Sequence, residues 1–242
     1  MTIVIDIRQI VNSISHPNPI LYVTDEYEKM CELKEKGCFV VPILNDATTD
    51  YDLSDYPFVI TNPDEIDDNY YLKIWQRYAG LPWDIIKTGR CLIREMTEND
   101  VVALYEVYAD PSITEYTEPL YPEYEDELTY TRNYIKNVYS YFGFGTWVIE
   151  RLEDGQIIGR AGFNFRDGFE SPELGFVIGK EYQRQGFAYE VCEAIINYGY
   201  EELGFTDIQA LTIPENIASV NLLKKLGFLN KGQYKEYDVY VK

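Results

Sequence analysis

Gln183-Arg-Gln-Gly-Phe-Ala188 places one glycine and one positive charge between an apolar run, Leu174 to Gly179, and a segment of helical periodicity. In that segment Ala188, Val191, Cys192, Ile195, Gly199 and Leu203 share one helical face. Gly204 supplies a natural stop. The hexapeptide therefore opens a helix. The first backbone N–H groups of a helix lack intrahelical partners and sit at the positive end of its dipole. Gly186 lets a ligand approach the main chain closely, and Arg184 adds charge. Together they have the chemistry of a phosphate or pyrophosphate cradle. An ordinary strand-to-helix turn would use the same residues, so the surrounding elements must decide.

Other chemistries find little material. The single histidine, His16, and the four scattered cysteines, Cys31, Cys38, Cys91 and Cys192, form no zinc-ligand cluster and no histidine-based triad. The thiols are expected to be buried and reduced, and no metal is expected. A formal net charge of −20 argues against a nucleic-acid partner and favours a cationic or amine partner, although simple solubility accounts for it equally. No apolar run reaches the roughly 18 residues of a membrane helix, and the first residues lack a secretory pattern. The expectation is a cytoplasmic protein without a membrane partner. Oligomeric state is not readable.

The 242 residues divide by pattern. A small α/β module is expected over 1–88. Ile20–Val23, Cys38–Leu44 and Pro57–Ile60 read as strands. Thr24 could cap one helix, which Gly37 would end, and Asp67 or Asp68 starts another. A linker is placed around 81–89, and a second domain spans 89–242. It begins with a strand at Cys91–Arg94 and a helix capped at Thr97 with Asp100. A second helix follows from Asp126 to Tyr141. Asp154-Gly155 and Asp167-Gly168 then separate strands at Thr146–Ile149, Gln156–Phe163 and Glu173–Ile178, as in an antiparallel meander. Beyond the helix after Gly186 come a strand at Phe205–Ile213, a helix over 214–228 capped by Asn216 and ended by Gly227, and two closing strands. The class is α/β (α+β).

Two strings carry a family likeness. Gln183–Ala188 fits [Q/R]-x-x-G-x-[G/A], and Asn216–Phe228 reads N-x-x-S-x-x-L-L-x-K-L-G-F. In that order and separation, residues 90–242 resemble the GNAT superfamily of N-acetyltransferases, and within it the ribosomal-protein alanine acetyltransferase-like subgroup. The resemblance implies a mixed, splayed β-sheet flanked by helices. Acetyl-CoA, the cosubstrate, would wedge between the strand at 173–178 and the strand after it. Backbone groups of Phe176, Val177 and Ile178 would pair with the pantetheine arm. Gln183 and the amides of Arg184, Gln185, Gly186, Phe187 and Ala188 would hold the pyrophosphate. Asn216, Ser219 and Lys225, or alternatively Lys224, would face the cofactor, unless Asn216 is only a cap and the lysines only a solvated face.

The reaction so implied is direct acetyl transfer to a primary amine, on a small molecule or on a basic peptide or protein N-terminus. Glu173 is the first candidate for the base, or it only orients the acceptor; Glu150 and Glu170 are weaker. An amide near Val177 would meet the developing oxyanion. Many family members carry a tyrosine four residues before the Gly-Phe pair, to protonate the leaving thiolate. Leu223 stands there in this chain, so Asn221 or Ser219 is the candidate donor to the sulfur. The alternative is a catalytically decayed CoA-binding sensor or regulatory protein. The loop with Glu118, Glu123, Glu125, Asp126 and Glu127, interleaved with Tyr116, Tyr121 and Tyr124, would line the acceptor side or merely solvate a helix start.

The first module weakly resembles the core of the haloacid dehalogenase-like superfamily, with a partial Rossmann-like pattern. Ile5-Asp6-Ile7-Arg8 puts arginine where that family's second aspartate belongs. Even with Asp67-Asp68 available as acids, a non-catalytic module is expected.

Overall fold

The computed structural model describes residues 1–11, 14 and 16–242. The chain forms two compact units, Met1–Trp83 and Asp84–Lys242. In the first unit, β1 (Thr2–Asp6) runs antiparallel to β2 (Ile20–Thr24), and β2 runs parallel to β3 (Phe39–Pro42). Between β2 and β3 lies α1 (Tyr27–Glu35), and α2 (Asp68–Tyr78) closes the unit. Leu21, Val23, Val41, Ile43 and Ile74 form its core.

Several expectations for this unit need revision. β1 went unrecognised. Thr24 belongs to the strand, fully buried, and its hydroxyl accepts from the Glu26 amide while Glu26 takes the cap position. Pro57–Ile60 is no strand: it contributes one bridge, Ile43 to Ile60, because Pro57 cannot donate to a ladder and a loop precedes it. Asp67 does cap α2, accepting from the Tyr70 amide at 2.7 Å. The Asp6 carboxylate is held by Arg8 through both oxygens.

The boundary also moves. Asp84–Lys87, expected in a linker, is β4, and it pairs with β5 (Cys91–Arg94). Those ladder bonds draw residues 84–88 into the second unit. Thr97 and Asp100 make a reciprocal capping box ahead of α3 (Val101–Val107). The next helix starts at Tyr124, two residues early, as α4 (Tyr124–Tyr134). It widens into a π-helical turn, Ile135–Tyr139, before α5 (Ser140–Phe142). Then follow β6 (Thr146–Arg151), β7 (Ile157–Asn164), β8 (Glu173–Ile178), α6 (Phe187–Glu201), β9 (Gln209–Thr212), α7 (Ile217–Lys225), β10 (Leu229–Tyr234) and β11 (Tyr237–Val241).

Among the described residues, eight strands form one sheet in the order β10-β11-β9-β8-β7-β6-β5-β4. Every neighbouring pair is antiparallel except β8 and β9. α6 buries Val191, Cys192, Ile195 and Ile196 against the sheet, each larger side chain contributing about 1.5–3 kcal/mol. Gly199 permits that approach, since a Cβ there would lie 2.8 Å from the Phe163 ring. All four cysteines are free. Cys91 and Cys192 are buried, and burial pushes the Cys91 thiol up to about 11. Cys31 and Cys38 are only half-buried, a correction to the expected burial.

Candidate active site

The sheet opens where β8 leaves β9. β8 keeps six successive pairs with β7, but it meets β9 at one, Glu173 to Gln209, supported by the Gln209 amide donating to Pro172. The ladder phase says which groups face the gap. Gly179 donates to Ile158, so Gly175 and Val177 exchange bonds with Gly162 and Arg160. The backbone groups of Phe176 and Ile178 turn the other way. Gln183 Nε2 takes the Ile178 carbonyl at 3.0 Å. The amide with room to meet an oxyanion is therefore that of Phe176 or Ile178, while that of Val177 is committed to β7.

The loop after β8 is built for close approach. Arg184 (φ +62°) and Gly186 (φ +87°) both adopt left-handed backbone, a strained choice for arginine. The consequence is a run of amides, residues 184–189, without a partner among the described residues; Glu190 is the first to bond back, to Gly186 at 3.1 Å. This donor array at the start of a 15-residue helix fits a pyrophosphate. Gln185 Nε2 ties to the Glu181 carbonyl, and Phe187 is buried edge-on to Tyr182. Those two side chains hold the loop, leaving Arg184, Gly186 and Ala188 to line a cavity.

Arg90 completes the arrangement and went unnoticed in the sequence. Its amide and Nε donate to Glu190 at 2.9 and 2.7 Å, Nη1 donates to the Gln185 carbonyl at 3.0 Å, and its guanidinium lies 4.2 Å from the Phe187 ring centre. Burial pushes the Glu190 carboxyl up, but hydrogen bonds from Thr88 and Arg90 outweigh it and hold the group below its ordinary value. A contact across nearly a hundred residues leaves no local sequence signal.

Two cavities adjoin along the gap. The first, about 560 Å³, runs from the amide array past Phe176, Val177 and Ile178 to Asn216, Ser219, Asn221 and Lys225 of α7. The second, about 630 Å³, lies between Tyr108, Tyr130, Tyr134, Arg160, Asn164, Glu173 and Tyr237. Tyr116, Thr117, Phe176, Val177, Asn216 and Ser219 line both, which marks the junction.

The sequence candidates separate accordingly. Asn216 caps α7, accepting from the Ser219 amide at 3.1 Å, and also sits at the junction. Lys225 lines the first cavity, its ammonium 4.2 Å from the Tyr189 ring; Lys224 does not line it. Asn221 lines only the first cavity, whereas Ser219 reaches both. Leu223 is buried at the wall of the second. Glu173 lines the second cavity and is held by Arg166 through Nε and, at 2.9 Å, Nη2. Glu150 is taken by Arg94 at 2.8 Å and Glu170 is exposed outside both cavities. Of the acidic loop, Glu118 lines the second cavity, while Glu127 turns inward to accept from the Tyr121 amide.

Tyr134 was not anticipated. It ends α4 where the π turn begins, and its hydroxyl accepts from the Thr146 amide at 2.7 Å beside Asn164. Gly145 makes room, since a Cβ there would fall 2.7 Å from that hydroxyl.

The geometry defines a class: a splayed sheet with a run of unpartnered amides, among the described residues, at a helix start and two joined cavities. The model of the acetyltransferase (GNAT) domain family matches residues 90–229, more than half of the chain, and the protein belongs to that family. It is 34% identical over 152 residues to the uncharacterized N-acetyltransferase YnaD of Bacillus subtilis, covering 62% of this chain and 86% of that one. It is 28% identical over 170 residues to the [ribosomal protein uS5]-alanine N-acetyltransferase of Escherichia coli, covering 66% and 85%. The solved structure of RimL, a ribosomal L7/L12 alpha-N-protein acetyltransferase in complex with coenzyme A, shares the fold at 15% identity, with a TM-score of 0.55 over 65% of this chain and 96% of that one. Among the described residues no helix is long and apolar enough to cross a membrane.

Proposed function

We propose that residues 84–242 transfer an acetyl group from acetyl-CoA to a primary amine, on a small molecule or a peptide N-terminus, by direct attack. The observation that carries this reading is the junction of two cavities at the splay, one ending on the free amides of 184–189. When bound, acetyl-CoA supplies a thioester, an acetyl group already activated toward a neutral amine. The amide array and Arg184 would hold the pyrophosphate, with Lys225 lining the same cavity and Asn216 at its junction with the second. The backbone of Phe176 and Ile178 orients the arm in the gap, and a free amide there stabilises charge on the carbonyl oxygen.

The amine nitrogen bonds to the acetyl carbon as the carbon–sulfur bond breaks, and the ammonium proton must leave. Glu173, which lines the second cavity, collects it through water. Ser219 and Tyr116 bring hydroxyls to the junction and can donate to the departing sulfur; Asn221, on the cofactor side only, is less well placed. A thiolate also leaves unaided more readily than an alkoxide, with an ordinary thiol pKa of about 8.5. Leu223 favours the second reading, a CoA-binding sensor. Thiol release from acetyl-CoA, measured with and without a panel of amines, separates the two. Amine-dependent release supports transfer; tight CoA binding with no amine-dependent release leaves the sensor.

A further inference from the structure

Seven arginines lie in the second unit. Arg90, Arg94, Arg132, Arg151 and Arg166 each hold a carboxylate. Arg160 and Arg184 do not, among the described residues, and each lines one of the two cavities. Arg184 stands at the pyrophosphate cradle. Arg160 therefore marks a second place where charge waits for a ligand.

Arg160 sits in the middle of β7, half-buried. A guanidinium has five N–H donors, and Arg160 uses one, Nε, which donates to the Tyr108 hydroxyl at 2.8 Å. The Tyr108 ring lies 4.9 Å from its guanidinium carbon. Four donors of a half-buried cation are left to water or to a ligand that displaces it. The other carboxylates of this cavity offer no relief: Glu173 is bound to Arg166, and Glu115 and Glu118 are exposed at the rim. A purely cationic acceptor would face an unopposed guanidinium.

Position gives the reach. Arg160 is directly opposite Val177, so both side chains share one face of the sheet, with Cβ atoms about 4.5–5.5 Å apart. Val177 is at the junction of the cavities. A group held by Arg160 is thus a few bonds from the nitrogen that receives the acetyl group.

We infer that the acceptor carries a carboxylate a few bonds from its amine, bound by Arg160. Resting on the acetyltransferase reading, this narrows it and turns the acceptor preference from cationic to zwitterionic. A free amino acid, or an acidic residue at the start of a peptide, presents that chemistry.

The test compares matched acceptors with the full-length protein and acetyl-CoA: amino acids against their amides, and short peptides beginning with Glu against the same peptides beginning with Gln. The carboxylate member of at least one set is expected to show kcat/KM higher by about tenfold to a hundredfold, and the set that does so identifies the source. Arg160→Gln should reduce that preference to about twofold or less, and Arg160→Lys should restore part of it. Affinity for CoA and the melting temperature should stay unchanged, which a merely structural role through Tyr108 would not allow. Equal kcat/KM within every pair, or a preference that survives Arg160→Gln, overturns the inference. Absence of transfer to any amine, with CoA still bound, instead removes the reading beneath it.

Discussion

The two cavities are built by different means. The first is drawn chiefly from one stretch of chain, Phe176 to Lys225: amides after a left-handed turn that lack partners among the described residues, an open strand edge and one helix face, with Ser112, Ile113, Tyr116 and Thr117 beside them. The second is mostly side chain, gathered from α4, β6, β7, β8, β9, α7, β11 and intervening loops. A backbone site needs a particular path of the chain, so its demands fall on glycine and on a helix start. A side-chain site needs several elements at once, and its chemistry changes with each residue. The same fold can therefore keep its cofactor and alter its acceptor.

If that contrast holds, Gly186→Val should do the most damage. A β-branched residue is strained at φ +87°, and the loop must move to relieve it. CoA affinity measured by calorimetry should fall about a hundredfold, a little under 3 kcal/mol. A loss below threefold would show that the amides matter little.

Next is Glu173→Gln, which touches the second cavity alone. kcat should fall about tenfold to a hundredfold, and CoA affinity should stay within about twofold. Equal losses in both quantities would erase the division between cavities. Arg90→Ala sharpens it from the other side: it frees the cradle by removing bonds to Glu190 and Gln185. About 1–1.5 kcal/mol is expected, seen as a roughly tenfold higher KM for acetyl-CoA with kcat retained.

The smallest effect comes with acid. Burial pushes the Asp100 carboxyl up, but hydrogen bonds from Arg94 and the Thr97 amide outweigh it, so its native value lies below the ordinary 3.8. Glu190 behaves alike. The unfolded chain binds the proton first, so stability from these groups is complete above the ordinary carboxylate range and is lost as pH falls through the native values. The melting temperature should be flat from about pH 8 to about pH 5 and fall below about pH 4 by a few degrees. A fall beginning near neutrality would point to other groups.

The contrast also governs what the sequence made legible. β8, the turn at Gly186 and α6 follow from local pattern, as do Asn216 as a cap and Gly227 as a stop, because main-chain geometry writes itself into adjacent residues. Arg90, Tyr134 and Arg160 carry no such trace: each acquires its role from a partner distant in sequence. The π turn that aims Tyr134 has no composition of its own. β4 lies in a segment that reads as a linker until β5 pairs with it, and the apolar content of Pro57–Ile60 reads as a strand although the segment forms a single bridge. Glu173 was found by position, but its engagement with Arg166 required the fold.

The central claim is that acceptor and thioester meet at one junction, without an acetylated enzyme between them. Initial rates with both acetyl-CoA and amine varied test it directly. The account predicts intersecting double-reciprocal lines and no acetylated protein after incubation with acetyl-CoA alone. Parallel lines, with an acetyl group recovered on the chain and passed to the amine, would contradict it.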